Sequence, residues 1–339
     1  MERVFSNSSD FSGCTNCSDD HSQIQWTLTF TSVITLSMIG IAGAIVGTLG
    51  NGLVLLAITR NVKFRSVPDF LILSLSTADL IVSAIYMPFH VTNTICYPVL
   101  KNNATYIMIM KFVGKLALLA SIVNVVGITI DRLTAIRWPL RYHKLMTKTF
   151  ALSYISVAWL TSAIIAAVYS FAETKQEIFL WIYCMALLLA TIFMYSYILR
   201  VAHAQRIRIV AMLHRDNEDR FSKQTPDCLE DKAAKTLKES KASKTFAIVV
   251  GAFVVTWIPL IFYSAIAPWS ESWYYEGFEW AKTFSLWNSF LNPYIYFARS
   301  RRYRQTALQM LKTIQCWPCL PAHQPRVGVE IYVETTPNS

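Results

Sequence analysis

The stretch Asn292-Pro293-Tyr294-Ile295-Tyr296 closes an apolar run that begins near Phe278. Working outward from it, Asp131-Arg132-Leu133 ends a second such run. Asn51, Asp79 and Trp257-Ile258-Pro259 stand inside three more. A helix needs about 20 apolar residues to cross a bilayer. Seven runs approach or exceed that length, over residues 30–59, 68–91, 107–130, 150–171, 179–200, 245–267 and 278–297. None has the alternation of a membrane barrel strand. The predicted fold is therefore all-α, a seven-helix transmembrane bundle. Hydrocarbon penalises a mid-span charge by about 2.5–3.5 kcal/mol on insertion scales. Polar groups at set places within the spans thus read as working parts.

Composition agrees. Hydrophobic residues make up 54% of the 339-residue chain and charged residues 15%, a balance that disfavours a soluble domain. The net charge of +10 does not indicate nucleic acid, because the basic residues cluster in alternate loops. The first loop holds Arg60, Lys63 and Arg65. The third holds Arg137, Arg141, Lys144 and Lys148, and the fifth holds Arg206, Arg208, Arg215, Arg220 and Lys223. The positive-inside rule then puts the N-terminus outside a plasma-membrane protein of several passes. Glycosylation sequons at Asn7, Asn16 and Asn103 fall on the same predicted outer side. Cys14 and Cys17 lack the second pair of a metal site. No cleavable signal pattern precedes the first span, which is expected to direct insertion itself.

Three regions follow. Residues 1–27 form an outer, glycosylated tail, 28–315 the membrane domain, and 316–339 an inner tail. The charged inner loop 201–244 is expected to be unpatterned, with its middle, 216–231, flexible. After Phe297, the basic run to Arg304 followed by Leu308, Met310, Leu311 and Ile314 predicts a short amphipathic eighth helix on the inner membrane face. Cys316 and Cys319 beyond it are either palmitoylated or plain thiols. Thr335, Thr336 and Ser339 are candidate phosphorylation sites.

Taken in order, these motifs resemble those of the rhodopsin-like G-protein-coupled receptors over nearly the whole chain. The resemblance implies a receptor that signals to a heterotrimeric G protein, is met by arrestin and receptor kinases, and contacts membrane lipids. It implies that Asp131, Arg132 and Glu239 form a coupling centre, with an Arg132–Glu239 ionic latch at rest. Leu133 stands where the family usually has Tyr. Trp257, Pro259, Phe253 and Ile122 resemble the family's switch, together with Asn292, Pro293 and Tyr296. Tyr197 and Tyr296 resemble two tyrosines that meet in the active state. Asp79, Ser121, Asn288 and Asn292, with Asn51 and Ser289 nearby, resemble a sodium site. The alternative is a hydrogen-bonded polar core without an ion. No other cofactor is implied.

Departures narrow the class. Ile107 stands near the place of the family's usual span-three Cys, and the loop 172–178 offers no partner Cys. Leu189 replaces a usual Pro. This pattern resembles the melanocortin receptors and, less closely, their cannabinoid, lysophospholipid and adenosine relatives. The stretches from Arg141 to Thr147 and from His203 to Arg206 share that likeness. Yet Phe89, His90, Ile107 and Lys111 occupy the region where melanocortin receptors carry acidic residues. Lys111 and Lys115 are four apart and share a helix face. With Lys282 they are expected to bind an anionic ligand, a lipid or small acid, in a pocket completed by His90, Trp257 and Ser264. The alternative is that Lys111 snorkels outward and Lys282 pairs with Glu279. Cys96 either bridges to Cys14 or Cys17 or stays free. A melanocortin-like peptide receptor is the nearer rival. A transporter would need an internal repeat or paired broken helices, and an enzyme a nucleophile–base pair or clustered His. None is seen.

Overall fold

The computed structural model describes residues 28–60, 66–100, 102–171, 178–219, 227–265 and 272–315, and they are helical almost throughout. Span one is α1 (Phe30–Arg60). Span two is α2 (Val67–Ile81), a π turn (Val82–Tyr86) and α3 (Met87–Leu100). Span three is α4 (Ala104–Arg137), followed by a one-turn α5 (Tyr142–Leu145). Spans four to seven are α6 (Lys148–Phe171), α7 (Ile178–Asp219), α8 (Asp227–Ala265) and α9 (Ser272–Arg299). The predicted eighth helix is α10 (Arg301–Gln315).

Helix α4 runs through the middle of the bundle and touches α2, α6, α7 and α8. Helix α9 closes the ring, packing on α8 to one side and α1 to the other. Large apolar side chains such as Met38, Leu160, Phe193 and Phe262 face outward, whereas Asn51, Asp79, Asn124 and Asn292 are fully buried. That is the inside-out distribution expected when lipid is the solvent.

One span is held by more than its own composition, and two expectations need correction. Among the described residues, six helices are long and apolar enough to cross a membrane on their own composition, and α9 is not one of them. Its Glu279, Asn288 and Asn292 depress its hydropathy, but all three are buried against the other helices. The polar face of α9 is thus covered by protein rather than lipid. The helices also overrun the predicted span ends. The segment 201–244, expected to be an unpatterned loop, is helical to Asp219 and again from Asp227. Finally, span two is interrupted. The π turn adds a residue to the helical repeat, and Cys96 has the non-helical angles φ −105° and ψ 20°.

Close packing relies on small residues, as is usual between membrane helices. A Cβ on Gly127 of α4 would lie 2.4 Å from the Tyr154 ring of α6. The Tyr154 hydroxyl reaches over it to donate to the Val123 carbonyl at 2.7 Å. Nearby, the Trp159 indole donates to Ser74 Oγ at 2.9 Å and ties α6 to α2. At the Arg132 end of the bundle, buried Asp69 caps α2. It accepts from Ser66 N at 2.9 Å and Ser66 Oγ at 2.6 Å. Arg302 and Tyr303 of α10 reach the same carboxylate at 3.5 Å each, which ties α10 to span two. Burial raises the Tyr303 hydroxyl above the usual phenol range, so it stays a neutral donor.

Gly127→Val should overpack the α4–α6 contact and cost about 1–3 kcal/mol, seen as a lower melting temperature of the purified protein. Gly52→Ala is the contrast. No atom lies within 4 Å of its added Cβ, and helix propensity favours the change by about 0.5–1 kcal/mol. That variant should melt no lower than wild type.

Candidate functional site

The polar residues gather at three levels along the bundle. At the first, Arg132 and Asp131 are both buried at the end of α4. Arg132 Nε donates to Asp131 Oδ2 at 2.8 Å, and Nη2 makes a second bond to the same oxygen. Tyr142 of α5 donates to Asp131 Oδ1 at 2.7 Å, so a single carboxylate orders both the arginine and the following turn. The guanidinium lies 5.5 Å from the centre of the Phe246 ring on α8. The expected partner Glu239 lies outside the described side chains, so span six reaches Arg132, among described residues, through Phe246. Tyr195 of α7 is buried in the core. Tyr197, which resembles one of two tyrosines that meet in the family's active state, is 40% exposed here. Residues two apart on a helix face nearly opposite ways, so only one of this pair enters the bundle, and it is Tyr195.

The second level surrounds Asp79. Asn292 Nδ2 donates to Asp79 Oδ2 at 2.8 Å, and Ser121 Oγ to Oδ1 at 3.4 Å. Asn51 is not part of this shell. Its Nδ2 donates to the Ser289 carbonyl at 2.9 Å and the Gly47 carbonyl at 3.0 Å. The reason is covalent. Pro293 has no N–H for the carbonyl four residues before it, which is that of Ser289. Asn51 supplies the missing donor across the helix interface. The oxygens Oδ1 of Asn51, Asn124, Asn288 and Asn292 have no hydrogen-bond partner. Of these, the Asn292 oxygen belongs to the amide that bonds Asp79, and oxygen acceptors next to a carboxylate are what a small hard cation would need.

Between these levels runs an aromatic column on α8. Phe253 stacks on Trp257 with ring centres 5.1 Å apart, and Ile122 of α4 is buried in the same core. Tyr296 of α9 is buried between Phe246 at 6.5 Å and Tyr303 at 6.0 Å. Pro259 lies within α8 and Pro293 within α9.

The third level is a cavity of about 220 Å³. Trp257, Ser121, Asn288 and Ser289 lie among its walls, so it adjoins the Asp79 level. Trp181, Leu118, Leu260, Leu286 and Phe278 supply apolar surface, and Lys111, Lys115 and Lys282 supply charge. Among the described residues no carboxylate lines it. Lys115 Nζ donates to the Tyr169 carbonyl at 3.4 Å, and Lys282 Nζ to Glu279 Oε1 at 2.6 Å. A Cβ on Gly114 would meet the Tyr86 ring at 2.4 Å, so the absence of a side chain there lets Tyr86 form part of the wall. Two expected pocket residues are elsewhere. Ser264 bonds back to the Leu260 carbonyl at 2.7 Å and does not line the cavity. His90 does not line it either. Its Nε2 lies 2.9 Å from Thr283 Oγ1 and its Nδ1 3.9 Å from Glu279 Oε2.

Asn103 is exposed as the N-cap of α4 and accepts from Tyr106 N at 3.0 Å. Cys96 is half-buried at the span-two kink, and Cys184 is packed in the core. Asn7, Asn16, Cys14, Cys17, Cys316 and Cys319, expected to be modified or bridged, lie outside the described residues. Tyr195, Phe246 and Tyr86 were missed as site residues. Only the phase of each helix could have separated them from other core aromatics.

The arrangement therefore joins a lined cavity at one end to a caged arginine at the other. Comparison with known proteins agrees. The model of the 7 transmembrane receptor (rhodopsin family) matches residues 50–296. The chain is 28% identical to the alpha-1A adrenergic receptor of Oryzias latipes, covering 93% of this chain and 74% of that receptor. It is 26% identical to the adenosine receptor A2a of Equus caballus, over 81% of this chain and 72% of that one. It is 27% identical to melanocortin receptor 3 of Mus musculus, over 80% and 83%. On a match spanning most of its length, the chain belongs to the rhodopsin family of seven-transmembrane receptors, which signal through G proteins and are not enzymes.

Proposed function

We propose that this receptor answers an extracellular ligand that carries a negative charge, a lipid or a small acid. The observation behind this reading is the cavity lining, with three lysines, apolar walls and, among the described residues, no carboxylate. Lys282, paired with Glu279, and half-buried Lys115 bring positive charge to the apolar walls, with Lys111 more exposed; an anion on an apolar body matches both. The N-terminus lies outside the plasma membrane, so the cavity opens outward and the Arg132 end meets the G protein. Arrestin and receptor kinases engage the same inner end once it opens.

Transmission runs along α8. Phe246, Phe253 and Trp257 are spaced seven and four residues apart, so they share one face of the helix. Trp257 touches the cavity and Phe246 covers Arg132. A ligand that favours a different position of Trp257 favours a different position of Phe246, which uncovers the arginine. Ligand and G protein thereby bias one two-state equilibrium. Glu239 is the proposed second restraint on Arg132. A sodium ion held by Asp79, Ser121, Asn288 and Asn292 would neutralise the buried carboxylate and favour the resting state. The glycans at Asn7, Asn16 and Asn103, the lipids at Cys316 and Cys319, and the bridge from Cys96 to the tail belong to the same reading.

Ligand-free G-protein activation in cells tests the coupling centre. At matched surface expression, Arg132→Ala should lower the signal by about tenfold or more, within the usual range of allosteric coupling. Phe246→Ala removes a contact worth about 0.5–2 kcal/mol and should raise the ligand-free signal about threefold. The sodium site has a separate readout. Replacing sodium by choline should lower the melting temperature of the wild-type receptor and leave that of Asp79→Asn unchanged.

A further inference from the structure

Lys282 lines the cavity, yet its amine is held by a carboxylate that does not. Nζ lies 2.6 Å from Glu279 Oε1, three residues earlier on α9. Glu279 is buried, and its other oxygen is 3.9 Å from His90 Nδ1 on α3, a nitrogen without a hydrogen-bond partner. His90 in turn is fixed to Thr283 through Nε2. The carboxylate therefore reaches Lys282 from behind the cavity wall, with one short charged bond and one long contact. On the cavity side the ammonium faces apolar surface, including the Phe278 ring at 5.7 Å.

We infer that Glu279 is a built-in competitor for the ligand's anion: the ligand's carboxylate takes the place on Lys282 that Glu279 holds at rest. This rests on reading the cavity as an anion site. Lys282 is already seated against a carboxylate, so its geometry suits that group. An arriving anion shares the ammonium with Glu279 and is repelled by it in a low-dielectric setting. Glu279 thus sets how much the apolar body of the ligand must contribute before the anion can bind. It determines specificity, favouring acids with a substantial apolar body over small inorganic anions. Lys111 and Lys115, across the cavity on α4, attract either kind.

The test uses the full-length receptor purified in detergent, with hexanoate as probe and hexanamide as its neutral isostere. Melting temperature is followed against concentration for wild type, Glu279→Gln, Glu279→Asp and Lys282→Met. Hexanoate, and not hexanamide, should stabilise Glu279→Gln at a concentration at least about tenfold lower than wild type requires, a factor typical of coupled sites. Glu279→Asp, which keeps the charge but shortens its reach, should fall between them, and it carries the test if Glu279→Gln does not fold. Lys282→Met should lose the effect. A shift seen only in Glu279→Gln is the limiting form of the same result. Equal or weaker sensitivity in Glu279→Gln and Glu279→Asp, with the wild-type effect still lost in Lys282→Met, would overturn the competition and leave the anion site standing. Hexanoate acting no better than hexanamide on every variant would overturn both.

Discussion

A carboxylate buried among hydrocarbon-facing helices is the constraint on which this bundle depends. Asp79 has no exposed surface, and its ligands come from two other helices, Ser121 of span three and Asn292 of span seven. Leaving such a group without partners is costly, so the three helices are held in one register at mid-depth. Asn51 adds a fourth helix by serving the carbonyl that Pro293 leaves unbonded. The proline that weakens α9 is therefore also what recruits α1 to it. The polar core is a junction between helices more than a collection of separate contacts.

The two ends of the bundle are each organised around positive charge, held in different ways. At one end a single carboxylate, Asp131, holds an arginine, and an aromatic ring covers it. At the other end three lysines face a cavity, and the carboxylate of Glu279 stands behind its wall. The first arrangement conceals a cation that would otherwise be available to a partner. The second leaves positive charge in excess. Helix α8 contributes aromatic side chains to both, and its long bonded length makes it a stiff connector between them.

Much of the fold was legible in the sequence, because run length in a bilayer is set by thickness. The apolar runs located every span, including α9, whose composition alone falls short of a free-standing membrane helix. The Asn292-Pro293 pair marked α9 where hydropathy could not. Other features were not legible for geometric reasons. Tyr195 and Tyr197 are equivalent by residue type, and only helix phase decides which one enters the bundle. Ser264 lies seven residues beyond Trp257 on α8, but height does not fix the direction of a side chain. It turned back to its own helix. The segment 201–244 looked like a loop because charge was read as disorder, whereas charged residues suit helices that extend into water. The Lys282–Glu279 pair was visible as one of two alternatives, since a spacing of three permits contact without requiring it.

The π turn at Val82–Tyr86 lies between Asp79 and His90. One residue more per turn rotates everything beyond it by about 100° relative to an unbroken α-helix. Asp79 and His90 would otherwise be fixed in angle by their separation of eleven residues. Span two is thus two helices of independent azimuth joined end to end, one aimed at the polar junction and the other at Glu279. No substitution could reproduce that freedom. A change in chain length could: with one residue removed there, a plain α-helix would hold Asp79 and the histidine at their present angles, whereas losing the bulge at unchanged length would turn the histidine away from α9.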